Sequence, residues 1–105
     1  MRIIAESTLK QYWQNSKYIR TEKELKAWII ETYDENWNSS QDVKKKYGNA
    51  SIINNKRVVF KINGNNFRLV VDIEYVFKTV YVVWFGTHQE YDSINVKTIA
   101  YKPLK

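Results

Sequence analysis

The alternation between Phe67 and Val76 constrains this chain most. The odd positions Phe67, Leu69, Val71, Ile73 and Tyr75 are apolar, and the even positions Arg68, Val70, Asp72, Glu74 and Val76 are mostly polar. A period of two with one apolar face is what a half-buried antiparallel strand needs. Arg68 is therefore expected to point away from the core, onto an open sheet face. Upstream, Arg57 to Ile62 sets Val58, Phe60 and Ile62 against Arg57, Val59 and Lys61. Asn63-Gly64-Asn65-Asn66 joins these two strands, and its Gly and Asn residues tolerate positive φ. Downstream, Thr79 to Phe85 is apolar on both faces and is expected near the centre of the sheet. Gly86 ends that strand and opens a polar signature, Gly-Thr-His-Gln-Glu-Tyr-Asp, over residues 86–92.

Before residue 50 the period is helical. Arg2 to Ala5 reads as a short first strand or edge. Ser7 or Thr8 can cap a helix carrying Leu9, Tyr12 and Trp13 on one face. Thr21-x-x-Glu24 has the spacing of a capping box, and Leu25, Trp28, Ile29 and Tyr33 form the stripe of the helix it would start. The break at Asn15 to Arg20 predicts a helical hairpin. Ser39 or Ser40 can cap a short third helix that Gly48 stops, and Ser51 to Ile53 reads as a short strand. The expected fold is α+β: an N-terminal helical hairpin packed on one face of a twisted antiparallel sheet of four to five strands. The whole of residues 1–105 forms one domain, with 100–105 as a polar tail.

The chain has no cysteine and a single histidine, so a disulfide framework, a thiolate nucleophile and a Cys-based zinc site are excluded. Neither metal nor cofactor is expected. The longest apolar run, Val80 to Phe85, is too short to span a membrane, and Glu6 interrupts the apolar N-terminus. These features predict a soluble, cytoplasmic protein. Net charge is +6, unevenly spread: residues 1–42 hold six basic and seven acidic side chains, and residues 43–105 hold eleven and four. Between Val43 and Val71 stand Lys44, Lys45, Lys46, Lys56, Arg57, Lys61 and Arg68 without one acid. A basic stripe of this kind is the footprint of a polyanionic partner, though a solvated face kept for solubility would look the same.

Cleavage of RNA by its own 2′-hydroxyl needs a base, an acid for the leaving 5′ oxygen and cations for the phosphorane. Arg68 can offer paired donors to phosphate, or it can simply pair with Asp72 or Glu74. Lys56, Arg57 and Lys61 can hold backbone phosphates. His88 is the natural proton carrier near neutral pH, although a lone histidine is often structural. Tyr91 can stack on a base or orient the hydroxyl. Glu90 and Asp92 can orient His88 or neutralise a neighbouring arginine. His-x-Glu-x-Asp is too short and loose for a metal site.

The segments Arg57 to Val71 and Phe85 to Ile94, together with the opening Met1 to Trp13, resemble the HigB-type toxins of bacterial toxin–antitoxin pairs, within the RelE superfamily of mRNA interferases. The resemblance covers about residues 1–99. It implies a RelE-like fold, and cleavage of translated mRNA in the ribosomal A site without metal or cofactor. It also implies neutralisation by a HigA-like helix-turn-helix antitoxin, with DNA met only through that partner. By the same resemblance Arg68 corresponds to the strand arginine near the scissile phosphate. Tyr91 corresponds to the tyrosine that orients the nucleotide, and His88 lies where relatives keep Arg or His. Lys56, Arg57 and Lys61 fall in the basic strand. Phe67 and Gln89 depart from the pattern, standing where Tyr and Ala are expected. A non-catalytic module that blocks translation by occupying the ribosome would use the same face. A DNA-binding role ranks last, because both N-terminal helices are near neutral.

Overall fold

A computed structural model describes residues 1–101, so residues 102–105 of the expected tail, with Pro103, lie outside the described residues. The sheet is built from β1 (Arg2–Ile4), β2 (Ser51–Ile52), β3 (Arg57–Ile62), β4 (Phe67–Glu74) and β5 (Thr79–Thr87). Their spatial order is β1-β5-β4-β3-β2, which puts β4 in the middle with β5 beside it. Strands β2 to β5 form the antiparallel meander, whereas β1 pairs parallel to β5, Ile3 opposite Val80. The sheet is therefore mixed rather than wholly antiparallel. A parallel partner needs a long crossover, and the crossover here contains every helix but the last. At the β3–β4 turn, Asn63 and Gly64 take φ of 54° and 66°, the left-handed values that turn requires.

Helices α1 (Glu6–Gln14), α2 (Glu22–Tyr33) and α3 (Ser40–Lys46) cover one face. Helix α1 lies against β5 and α2 against β1, and the two helices touch each other. Leu9, Trp13, Leu25, Trp28, Ile29 and Val43 pack there on Val58, Phe60, Ile62, Leu69, Val71, Ile73, Val80 and Phe85. All of the β3 and β4 residues in that set are the apolar-phase positions of the alternation. Fully burying each such side chain contributes about 1.5–3 kcal/mol, so this layer outweighs any surface contact discussed below.

The helix starts differ from expectation. Neither Ser7 nor Thr8 caps α1; its N-cap is Ala5 and no side chain bonds there. Thr21 is the N-cap of α2, but its hydroxyl donates back to the Tyr18 carbonyl at 2.6 Å, so the expected capping box does not form. The side chain is wholly buried beneath a 3₁₀ turn at Ile19–Thr21 and turns inward to the nearest acceptor. Helix α3 starts after Ser39, again without a side-chain cap.

The other sheet face is not bare. Val59, Val70 and Val83 form a small second cluster covered by Ile53, Trp84, Tyr91, Val96 and Ile99. The register shifts between Val70 and Val71, so that Val70 faces Trp84 while Val71 faces Val82. One extra β5 residue is thereby accommodated, and Val83 and Trp84 both reach the second cluster. The apolar residues at otherwise polar positions, Val59 and Val70, require cover, and the C-terminal segment supplies it. An apolar groove of about 640 Å³ runs beside that segment between Ile4, Tyr81, Lys97, Ile99 and Tyr101, away from Arg68 and His88.

Candidate active site

Where β5 ends, a fourth helix begins: α4, His88–Asp92. It carries a reciprocal capping box. The Glu90 N–H donates to Thr87 Oγ1 at 3.1 Å, and the Thr87 N–H donates to Glu90 Oε1 at 2.8 Å. Thr87-x-x-Glu90 is a helix-start signal in the sequence, masked by a polar run after Gly86 that equally suits a strand end. The helix buries none of its residues, so it is held by its polar contacts and by Tyr91.

Three expected residues meet at this corner. Arg68, near the start of β4, lies opposite Lys61 of β3 and Gly86 of β5. It is not on an open surface: it is 7% exposed. The Tyr91 ring covers its guanidinium, 5.7 Å from the ring centre, an arrangement favoured by cation–π attraction. The guanidinium donates from Nη1 to the Asn65 carbonyl (2.9 Å) and the Phe67 carbonyl (3.2 Å), and from Nη2 to Asn65 Oδ1 (2.7 Å). Those bonds engage three of its five N–H donors. It does not pair with Asp72 or Glu74. The His88 N–H donates to the Asn66 carbonyl at 2.8 Å, so one turn holds both Arg68 and His88. In the sequence Asn65 and Asn66 signal only a turn, and nothing in their spacing marks them as holding Arg68 and His88.

The imidazole of His88 is about half exposed, with Nε2 3.8 Å from Asp92 Oδ2, one helical turn on. Its Nδ1 is buried without a hydrogen-bond partner. Asp92 thus stands where it can orient His88. Glu90 does not: it accepts from Lys17 Nζ at 2.6 Å and from the Tyr18 hydroxyl at 3.0 and 3.2 Å. Burial alone would raise the Glu90 carboxyl. The Lys17 ammonium, the Thr87 N–H and the Tyr18 hydroxyl together hold it below its ordinary 4.5. Burial raises the Tyr91 phenol above 10.0, Arg68 opposes this and Asp92 adds to it, so the group is neutral at pH 7. Trp84, 6.2 Å from Tyr91, completes the aromatic rim. Gly86 is required beneath it, because an added Cβ would meet the Trp84 ring at 2.6 Å.

Two expected phosphate ligands are elsewhere. Arg57 sits four residues along β3 from Lys61, about 13 Å at ~3.3 Å per residue. It forks onto Asp72 through Nε and Nη2, both at 2.8 Å, and donates from Nη1 to the carbonyls of Val96 (3.1 Å) and Ile99 (2.7 Å). It ties the C-terminal segment to the sheet, and it makes the carboxylate pairing that Arg68 does not. Lys56 stands at the same far end, 4.0 Å from Glu74. Only Lys61 shares the corner with Arg68. Among the described residues no group of three or more His, Asp or Glu could hold a metal ion, and no helix is long and apolar enough to cross a membrane.

No curated protein matches the chain. Residues 21–94 match the family model of the HigB toxin, described as the RelE-like toxic component of a toxin–antitoxin system. That span runs from the N-cap of α2 through α4 and so includes the whole meander and the corner just described. The chain belongs to the HigB toxin family, whose members are the toxic half of a pair and have an antitoxin as partner.

Proposed function

We propose that this toxin is a ribosome-dependent endoribonuclease that cleaves translated mRNA by attack of the 2′-hydroxyl on the adjacent phosphodiester. The observation that carries the reading is the convergence of Arg68, His88 and Tyr91 at one corner, from two elements about twenty residues apart, with Lys61 beside them. Arg68 stabilises charge on the phosphate, His88 moves the proton, Asp92 orients the imidazole, and Tyr91 positions the nucleotide. Lys61 holds a flanking phosphate. In the free protein Tyr91 covers Arg68, so the scissile phosphate reaches the remaining guanidinium donors when Tyr91 gives up that contact for the nucleotide. The ribosomal A site supplies the message in the conformation that drives this exchange. A HigA-like helix-turn-helix protein is the antitoxin in this reading, and the toxin acts in the cytoplasm.

One observation favours a second reading. Arg68 is covered and already bonded to Asn65, as it would be in a module that blocks the ribosome by occupancy without cutting. Mapping of message 5′ ends after induced expression separates the two. The nuclease reading expects new 5′ ends within translated frames, lost in Arg68→Ala and His88→Ala together with growth arrest. Arrest without new ends would support occupancy.

A further inference from the structure

Helix α4 carries His88, Tyr91 and Asp92, yet it buries no residue of its own. Among the described residues, its side-chain hydrogen bonds to the segment after α1 run through Glu90. That carboxylate closes the capping box and also receives the Tyr18 hydroxyl and the Lys17 ammonium. Tyr18 is 8% exposed and wedged edge-on among Tyr12, Phe67 and Phe85, so its hydroxyl has a fixed position. Phe67 immediately precedes Arg68, and Phe85 precedes Gly86, on which Trp84 rests. The aromatic wedge therefore references α4 to the same two strands that carry Arg68. Without Glu90 the helix would keep the His88 N–H bond to Asn66 and the Tyr91 contact with Arg68 but lose this reference to the aromatic wedge, and a shift of about 1 Å at reacting groups is enough to lower a rate ~100-fold.

Resting on the nuclease reading, we infer that Tyr18 and Lys17 are positioning residues, which keep Tyr91 over Arg68 and His88 at the adjoining turn by holding Glu90. Among the described residues neither hydrogen-bonds a proposed reacting group, and both reach the site through the Glu90 carboxylate. Tyr18 supplies the fixed point and Lys17 the charge. Lys17 is more than half exposed and Glu90 about one-third exposed, so the outer half of the clamp lies within reach of solvent and of a partner.

The test uses the full chain with Tyr18→Phe, which keeps the aromatic wedge and deletes only the hydroxyl, alone and combined with Lys17→Met. Lys17→Arg serves as the conservative rescue. His88 is the only histidine, so its ring signals in a proton NMR spectrum are unambiguous reporters of α4. Expected for the double variant are an unchanged far-ultraviolet circular dichroism spectrum and displaced, broadened His88 signals. The kcat for cleavage of ribosome-bound mRNA falls at least tenfold, with KM within about twofold. Lys17→Arg alone keeps the His88 signals and kcat near wild type, and Tyr18→Phe alone loses part of each. Wild-type His88 signals and kcat in the double variant would overturn the inference. A wild-type protein that cuts no mRNA would sink the nuclease reading alone. The His88 signals then decide the clamp by themselves, displaced signals upholding it and unmoved ones refuting it.

Discussion

Arg57 and Arg68 project from the same side of the sheet, but their surroundings assign them different work. Arg57 donates four hydrogen bonds to Asp72 and two backbone carbonyls, with both members of the ion pair mostly buried. Breaking such a pair leaves a desolvated charge behind. Arg57→Met is expected to lower stability by roughly 2–4 kcal/mol in urea unfolding, scaled down from fully buried pairs because water still reaches Asp72. Arg68→Met should cost less, because two of the three acceptors it leaves belong to Asn65, in the exposed β3–β4 turn, and can rehydrate. Gly86 is a second test at this scale. Its Cβ position is filled by the Trp84 ring at 2.6 and 2.7 Å and by Glu90 Oε1 at 2.9 Å. Gly86→Ala should destabilise by about 1–3 kcal/mol and displace α4, visible as a lower melting temperature with shifted His88 signals. For Lys61, loss of one phosphate contact should flatten the dependence of log K on log salt by ~0.7 for single-stranded RNA, whereas Lys56→Ala should leave that slope unchanged.

At the scale of elements, two Thr-x-x-Glu sequences have opposite outcomes. Thr87 and Glu90 close a box around α4, while Thr21 turns its hydroxyl to Tyr18 and Glu24 accepts from the Asn63 N–H of the β3–β4 turn. Thr87→Val should therefore cost ~1 kcal/mol through loss of the cap, measured by thermal unfolding. Glu90 also makes α4 sensitive to acid. Its folded-state pKa is depressed, so its stabilising contribution is present above its ordinary value of 4.5 and is lost as pH falls through the lower folded value. His88 line widths should accordingly broaden in that acid range in the wild type and be independent of it in Glu90→Gln. The meander was legible because a period of two survives any context: β3 spans the expected Arg57–Ile62. Helix capping was not, since spacing alone does not tell whether a threonine faces solvent or a neighbouring carbonyl. The direction of β1 was hidden too, because its partner lies more than seventy residues away. The cover over the second face was half visible: Val59 and Val70 broke the polar phase, and Val96 and Ile99 were the apolar residues left to meet them.

For the whole molecule, one large core fixes the sheet on the helical layer, and a thin second cluster fixes the C-terminal segment on the opposite face. The expected basic face is thereby divided. Lys61 and Arg68 stay with the α4 corner, and Arg57 is absorbed by the C-terminal segment. The corner assembles β3, β4, the turn between them, the end of β5 and α4, and it lies within the residues that match the HigB toxin family. Its chemistry is best judged where the message is bound. Purified toxin is added to ribosomes stalled on a defined message with a filled P site, and the message is probed by primer extension within one turnover. The expected result is a single cut in the A-site codon, slowed at least 100-fold by Arg68→Ala or His88→Ala in proteins that fold and still bind the ribosome. An uncut message, or a cut made equally fast by both variants, would contradict a nuclease centred on Arg68 and His88.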